Sequence, residues 1–544
     1  MRAVICPIVN LSTDYPGYDS TFSEACRMNV GQILSSAGEN HPDQAAFIWG
    51  EQATSYGQAN KRAVALAVGL RELGLELGDR VGILMGNCPQ LLESFFATWK
   101  AGGCIVPLNA RFVADEVVYH VGDPRATAII FGEEFREMMA HIRERLSSVK
   151  HFICAGEPLP GQVAYEELIA ASSGSREPTI DVSDDDLAWL FYTSGTTGRP
   201  KGAMLTHGNL TFMAIGWVAD LMRLEPEDVG LHAAPLTHGA GFHSLALALK
   251  ASSQVILKPP RFDVENFCAT VAKHRVTNTW LVPTQIKMLL NYSELKKWDL
   301  SSLKWLVYGG SPMYAEDLKE ALRRIGPVLV QLYGQGETPM TGTYLRPKEH
   351  VIEGPESERL ASCGHSRSGI EVRILGGDDH ELPRREVGEI CVRGPTVMKG
   401  YWERPEATAE ALRSGWLHTG DVGHIDEHGY VYILDRTKDM IISGGSNVYP
   451  REVEEVLLQH PAISEACVIG VPDELWGEAV KAVVILKQGA QATPEEIIAF
   501  AADHMASYKK PKSVDFVTHF PKNSYSKILK RELRDRYTKA KPGA

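Results

Sequence analysis

From residue 47 to residue 107 the chain alternates between helical and extended periodicity, and that alternation decides the fold class. Residues 56–73 carry apolar side chains at helical spacing, and Gly74 follows as a helix stop. Residues 80–85 form a short apolar strand, residues 88–100 return to a helical period, and residues 103–107 are extended again. Strands separated by helices of this length imply a parallel sheet. Similar alternation recurs through residues 187–330, whereas residues 364–432 change character. There Glu371–Leu375, Gly388–Arg393 and residues 430–434 are short β-like runs between Gly and Pro turns, which suggests a small sheet or a β-barrel-like subdomain.

At 544 residues the chain is too long for one ordinary domain. The best boundary lies near residues 435–440, where a strand ends and Ser443-Gly-Gly-Ser-Asn447 leads into a helix over residues 450–459. The remaining 109 residues have their own β and α runs at 466–471, 478–486 and 494–504, enough for a small independent core. The expected architecture is therefore α/β. Residues 1–435 form a large N-terminal domain of βα-layered sheets, and residues 436–544 form a small, mobile α+β domain. There are no internal repeats and no low-complexity tract.

Hydrophobic content of 44% and charged content of 23% are those of a soluble globular protein, and no apolar run reaches membrane-spanning length. The first ten residues lack the apolar core and cleavage site of a secretory signal, so a cytoplasmic location is the default expectation. Nine scattered cysteines with no CxxC pair suggest neither a zinc site nor a disulfide framework. A net charge of −12 argues against a nucleic-acid partner. The tail from Met505 onward runs the other way, with eleven Lys and Arg against Asp515, Glu532 and Asp535, a net +8. That surface is either a solvated basic face or a place where phosphates of a small ligand are met.

The chemistry concentrates in Tyr192-Thr-Ser-Gly-Thr-Thr-Gly-Arg-Pro-Lys-Gly202, which follows the apolar run of residues 187–191. A buried strand ending in such a loop can wrap a polyanion. Gly195 and Gly198 let backbone N–H groups converge on phosphate oxygens, and Thr193, Ser194, Thr196 and Thr197 add hydroxyl donors. Arg199 and Lys201 supply charge. Gly202 stands where a Walker loop needs Ser or Thr, so the loop is of a different kind.

The loop resembles the phosphate-binding signature of the adenylate-forming enzymes: acyl-CoA synthetases, peptide-synthetase adenylation domains and beetle luciferases. Further motifs stand in that family's order from about residue 45 to 530. In Pro235-Leu-Thr-His238, His238 matches the histidine beside the acid pocket, and small residues follow at 239–241. Gly309, Gly310 and Ser311 match the loop bordering adenine and the acyl group. In Tyr333-Gly-Gln-Gly-Glu-Thr338, Tyr333 matches the adenine-stacking aromatic and Glu337 the magnesium ligand. The family's usual Thr before that Glu is Gly336 here, leaving Thr338, Thr193 or Thr196 to supply its hydroxyl. Asp421 matches the acid that holds both ribose hydroxyls, a task suited to a carboxylate, and Arg436 matches a second ribose or phosphate contact. Lys438 matches the hinge. Lys527 matches the lysine that reaches the carboxylate and α-phosphate during adenylation, in a motif whose usual Gly is Ser526 here.

The resemblance implies a two-step ligase. A carboxylate attacks the α-phosphate of Mg-ATP, pyrophosphate leaves, and a thiol then attacks the acyl adenylate. Between the steps the small domain turns, Lys527 leaves, and the segment with Gly444 and Gly445 lines a passage for the pantetheine of CoA. The expected partners are ATP, Mg²⁺, CoA and a small carboxylic acid, and a homodimer is left open. Only 17 residues follow Lys527, so an appended carrier-protein domain is not expected, although delivery to a separate carrier remains an alternative. A luciferase-like reaction has no positive sign, and loss of catalysis is motivated only by Gly336 and Ser526. The acid pocket is expected around Trp217, His238, residues 239–244, residues 281–284 and residues 308–312. No Asp at 235–240 awaits an α-amino group, so a hydrophobic monocarboxylate is expected, with fatty acids ahead of aryl or alicyclic acids on frequency alone.

Overall fold

The computed structural model describes residues 29–193, 199–258, 262–311, 313–436, 439–443, 446–473, 475–522 and 528–539. Two large sheets dominate. One has seven strands, in the order Val163–Ala164, His151–Ala155, Ala128–Gly132, Arg80–Leu84, Cys104–Leu108, Leu187–Thr193 and Lys201–Thr206. All its neighbours run parallel except the last pair. The other has nine strands, with Leu329–Tyr333, Trp305–Tyr308, Asn278–Leu281, Val229–His232, Ser253–Ile256 and Ala45–Trp49 parallel at its centre. The alternating pattern between residues 47 and 107 thus feeds both sheets, because Ala45–Trp49 joins one and Arg80–Leu84 the other.

Local signals explain the element ends. Ser55 and Gln58 cap the helix Tyr56–Glu72 reciprocally, each side chain accepting the other's backbone N–H. Gly74, at φ +89°, takes the chain out of that helix in a conformation that favours glycine.

The helix Gly239–Leu249 lies between the sheets and is buried from Gly239 to Ala248. Phe242 packs 4.7 Å from the Trp189 ring of the seven-stranded sheet. On the opposite side, a Cβ on Gly230 of the nine-stranded sheet would stand 2.3 Å from Leu247 Cδ1. Burying a phenylalanine this fully stabilises by roughly 1.5–3 kcal/mol. Gly241 permits the packing, since a Cβ there would fall 2.2 Å from the Leu236 carbonyl oxygen.

Of the sheet or barrel expected near residues 364–432, the chain forms an open four-stranded antiparallel sheet. Its order is Glu371–Leu375, Gly388–Arg393, Leu417–Ile425 and Val431–Arg436. The C-terminal region builds its own sheet on the long hairpin of Ile463–Asp473 and Gly477–Leu486, with Ser513–Phe516 added in parallel. Val453, Leu457, Val468, Val480 and Ile497 form its core. It touches the larger body where Tyr314 donates to Glu454 at 3.0 Å and Lys287 donates to the Ser464 carbonyl at 2.6 Å. Among the described residues, no helix is long and apolar enough to cross a membrane.

Parallel sheets open their ligand crevice beyond the carboxyl ends of the strands. Thr193 ends one such strand, and His238, Gly309 and Gln335 follow the ends of others, which gathers segments nearly 150 residues apart in sequence.

Candidate active site

Glu337 is the centre of the first group. Its Oε1 accepts the hydroxyls of Thr193 and Tyr401, each at 2.8 Å. Lys201 pairs in register with Thr193 across the hairpin, and its ammonium lies 5.1 Å from the Tyr401 ring centroid. Burial and the Glu337 charge raise the Tyr401 phenol far above its ordinary range, so it stays a donor. Arg199 and Lys201 line a polar cleft of about 460 Å³ with Tyr119, Asp123, Arg404 and Glu410. Ser194, Gly195, Thr196, Thr197 and Gly198 lie outside the described residues.

Gly336 is explained by its neighbours. A Cβ at that position would stand 2.4 Å from Phe191 Cδ1 and 2.7 Å from Thr193 Cγ2. The space that a threonine would need is therefore filled by the strand leading into the phosphate loop. Thr338 turns elsewhere: it is buried, and its hydroxyl lies 3.0 Å from those of both Thr341 and Thr396.

A second group surrounds Asp421. Its Oδ2 accepts the Tyr333 phenol at 2.8 Å and the Gln335 amide at 2.9 Å, and its Oδ1 lies 3.0 Å from Arg436 Nε. Gln335 also donates to the Thr419 carbonyl at 2.8 Å. The Asp421 carboxylate raises the Arg436 guanidinium still higher, so this charge is permanent. Burial, then Asp421, raises the Tyr333 phenol well above its usual range.

The third group borders the helix Gly239–Leu249. His238 precedes it, with its ring stacked on Phe191 at 4.7 Å, and burial lowers the imidazole to about 4, so it is neutral at pH 7. Trp280 lies next to Gly239, where a Cβ would meet its Cζ2 at 3.0 Å. Trp217 stands 5.7 Å from Trp280 and stacks on His243 at 5.4 Å. Phe191 thus touches both the histidine at this corner and Gly336 at the nucleotide corner. Gly309 and Gly310 follow the strand Trp305–Tyr308, with Gly310 at φ +82°, and half-buried Ser311 comes next.

Lys438, Gly444, Gly445 and Lys527 lie outside the described residues. Around them, Asp435 accepts backbone N–H groups from Arg436 at 2.7 Å and Arg451 at 3.2 Å. Lys530 lies 3.5 Å from Asp435 and 3.1 Å from Glu454. Sequence reading missed Gln335 and Tyr401. Gln335 stood inside a quoted motif, while nothing in the local sequence sets Tyr401 apart.

Side chains suited to a nucleoside triphosphate, gathered at the carboxyl ends of a parallel sheet with a small domain against them, define a two-domain enzyme acting on ATP. The chain belongs to the AMP-binding enzyme family: residues 34–402 match that family, and residues 452–527 match the AMP-binding enzyme C-terminal domain. It is 40% identical over 496 residues to a feruloyl-CoA synthase of Amycolatopsis sp, covering 91% of this chain and 96% of the relative. It is 36% identical to a long-chain-fatty-acid–CoA ligase of Bacillus subtilis, over 93% of this chain and 94% of the relative. The crystal structure of ATP-bound MatB from Rhodopseudomonas palustris superimposes with a TM-score of 0.84 at 33% identity, covering 94% of this chain and 99% of that one. The protein is an AMP-forming acid–CoA ligase with ATP and CoA as substrates.

Proposed function

We propose that the acid is an aryl monocarboxylate and that the three side-chain groups divide the work of activating it. The observation that carries this reading is the aromatic wall beside His238. Trp280 lies against Gly239, Trp217 against Trp280, and His243 against Trp217. A planar acid stacked on such a wall gains about 0.5–1.5 kcal/mol beyond its buried area, which a flexible alkyl chain does not. The feruloyl-CoA synthase relative supports it, and the fatty-acid ligase relative keeps alkyl acids as the comparison to beat.

Asp421 takes the ribose hydroxyls, with Arg436 beside it, and Tyr333 takes the adenine face. The loop from Thr193 to Lys201 holds the β- and γ-phosphates. Glu337 fits a hard divalent cation: it is a carboxylate whose Oε1 is already fixed by Thr193 and Tyr401, so its orientation is set. Mg²⁺ held there would neutralise phosphate charge. The acid's carboxylate oxygen forms a bond to the α-phosphorus while the bond to the bridging oxygen breaks and pyrophosphate leaves. Lys527 offsets the charge building on phosphorus, and neutral His238 lies beside the acid without adding a competing cation. The CoA sulfur then attacks the acyl carbonyl and AMP departs. The chain pivots near Lys438, between the strand ending at Arg436 and the strand Ile441–Ser443, bringing Gly444 and Gly445 to the pantetheine arm.

Pyrophosphate release and acyl-CoA formation, measured across hydroxycinnamic, phenylacetic and benzoic acids and fatty acids of graded length, test the reading. The expected result is a kcat/KM for at least one aryl acid about tenfold or more above every fatty acid. A preference for any fatty acid overturns the aryl assignment.

A further inference from the structure

Behind Asp421 lies a network that meets the second group only through Thr419 and Asp421 itself. The strands Gly388–Arg393 and Leu417–Ile425 lose register here: Cys391 pairs with His418, but Glu389 pairs with Val422. Thr419, Gly420 and Asp421 therefore bulge out opposite Ile390 alone. Gly420 makes the bulge with φ +69°, and Thr419 stitches it by donating to the Ile390 carbonyl at 2.6 Å and accepting the Asp421 N–H at 3.1 Å.

One carboxylate closes the bulge from behind. Glu389 Oε1 accepts the Gly420 N–H at 2.9 Å. Its Oε2 accepts His418 Nδ1–H at 2.8 Å and Arg413 at 3.0 Å. Arg413 in turn lies 3.3 Å from Asp379, which also accepts the Ser414 hydroxyl at 2.7 Å. Glu389, Cys391 and His418 are close enough together to suggest a metal site, but the Arg413 guanidinium already supplies the positive charge that Glu389 meets.

We infer that Glu389 is a positioning residue for ATP: it fixes the bulge that aims Asp421 at the ribose, without touching the nucleotide itself. Loss of the carboxylate removes the acceptor that the Gly420 N–H, His418 and Arg413 share, while Asp379 still faces Arg413 and His418. Asp421 then keeps its chemistry and loses its aim. A displacement of about 1 Å in such a group weakens binding of the groups it meets while leaving groups on other elements in place.

The inference rests on the assignment of Asp421 to the ribose hydroxyls, and nucleotides with and without those hydroxyls separate the two. Pyrophosphate release is measured for the full chain, Glu389→Ala, Glu389→Gln and Asp421→Ala, with ATP and with 2′,3′-dideoxy-ATP. Glu389→Ala is expected to raise KM for ATP roughly tenfold with kcat within about twofold, and to change KM for the dideoxy nucleotide less than about twofold. Glu389→Gln, which retains an acceptor for Gly420, is expected to fall between, and it carries the comparison should the alanine variant fail to fold. An equal rise in KM for both nucleotides, or no rise for ATP, overturns the inference alone. If the unmodified enzyme and Asp421→Ala each treat the two nucleotides alike, the ribose assignment falls and the inference with it.

Discussion

Tyr333 donates its phenolic hydrogen to the carboxylate of Asp421 at 2.8 Å, across 88 residues of sequence. The bond joins the ring assigned to adenine to the acid assigned to ribose, so base and sugar meet one connected surface. Tyr333→Phe keeps the ring and removes the bond. The variant is expected to raise KM for ATP roughly 2- to 10-fold, the equivalent of about 0.5–1.5 kcal/mol, with kcat little changed. Steady-state kinetics at saturating acid check it, and an unchanged KM would mean that the bond does not serve the nucleotide.

Gly336 departs from the family pattern, and restoring the usual residue is expected to do harm. Its missing Cβ is replaced in space by Phe191 and Thr193, with a would-be contact of 2.4 Å. Gly336→Thr should cost about 1–3 kcal/mol of stability through overpacking and lower the rate of pyrophosphate release. Combining it with Phe191→Ala should recover part of both losses, since neighbours that share one space are not additive. Thermal melts of the two single variants and the double variant decide the matter, and strict additivity would count against the clash.

These two positions show what could be read from the chain. Glu337 and Asp421 stand out in the sequence because each is a carboxylate inside a motif that resembles the family's, and the structure sets each among polar side chains from distant segments. The parallel sheets were legible because their period changes on the length scale of a strand and a helix. Glu389, Gln335 and Tyr401 were not, because each acts by a hydrogen bond to a residue 31 to 86 positions away, and no local pattern encodes that partner. Gly336 read as a lost hydroxyl, since the ring of Phe191 beside it becomes visible only when the strand ending at Thr193 meets the strand ending at Tyr333.

The buried histidines predict a pH dependence of stability. Burial lowers His232 and His350 to about 4 and His243 to about 3, well below an ordinary imidazole near 6.5. Between those values the unfolded chain binds protons that the folded chain does not. Stability therefore rises with pH from about 4 to 6.5, is complete above that window, and falls as pH drops through it. The unfolding midpoint should lie several degrees lower at pH 5 than at pH 7. His243→Phe removes one of these groups and should flatten the slope. An identical slope in the variant would show that His243 is not a source of it.

Lys527 and Lys530 are three residues apart in the basic tail and are expected to behave differently. For Lys530, burial alone would lower the ammonium, but the Glu454 and Asp435 carboxylates outweigh it and hold the group above its ordinary value. Lys530 thus fastens its helix to the last strand of the four-stranded sheet, through Asp435, and to the helix Pro450–Leu457, through Glu454. Removing the charge leaves two buried acids without their partner, a loss of about 3 kcal/mol. Lys530→Met should lower the melting temperature and affect both half-reactions in proportion to the folded fraction. Lys527 carries the charge proposed to meet the α-phosphate, so Lys527→Ala should leave the melting temperature unchanged. It should slow adenylation about 100-fold or more, while thioester formation from pre-made acyl adenylate stays within about threefold. Measuring the two half-reactions separately makes the distinction. Equal loss of both in Lys527→Ala would remove the lysine from the adenylation step.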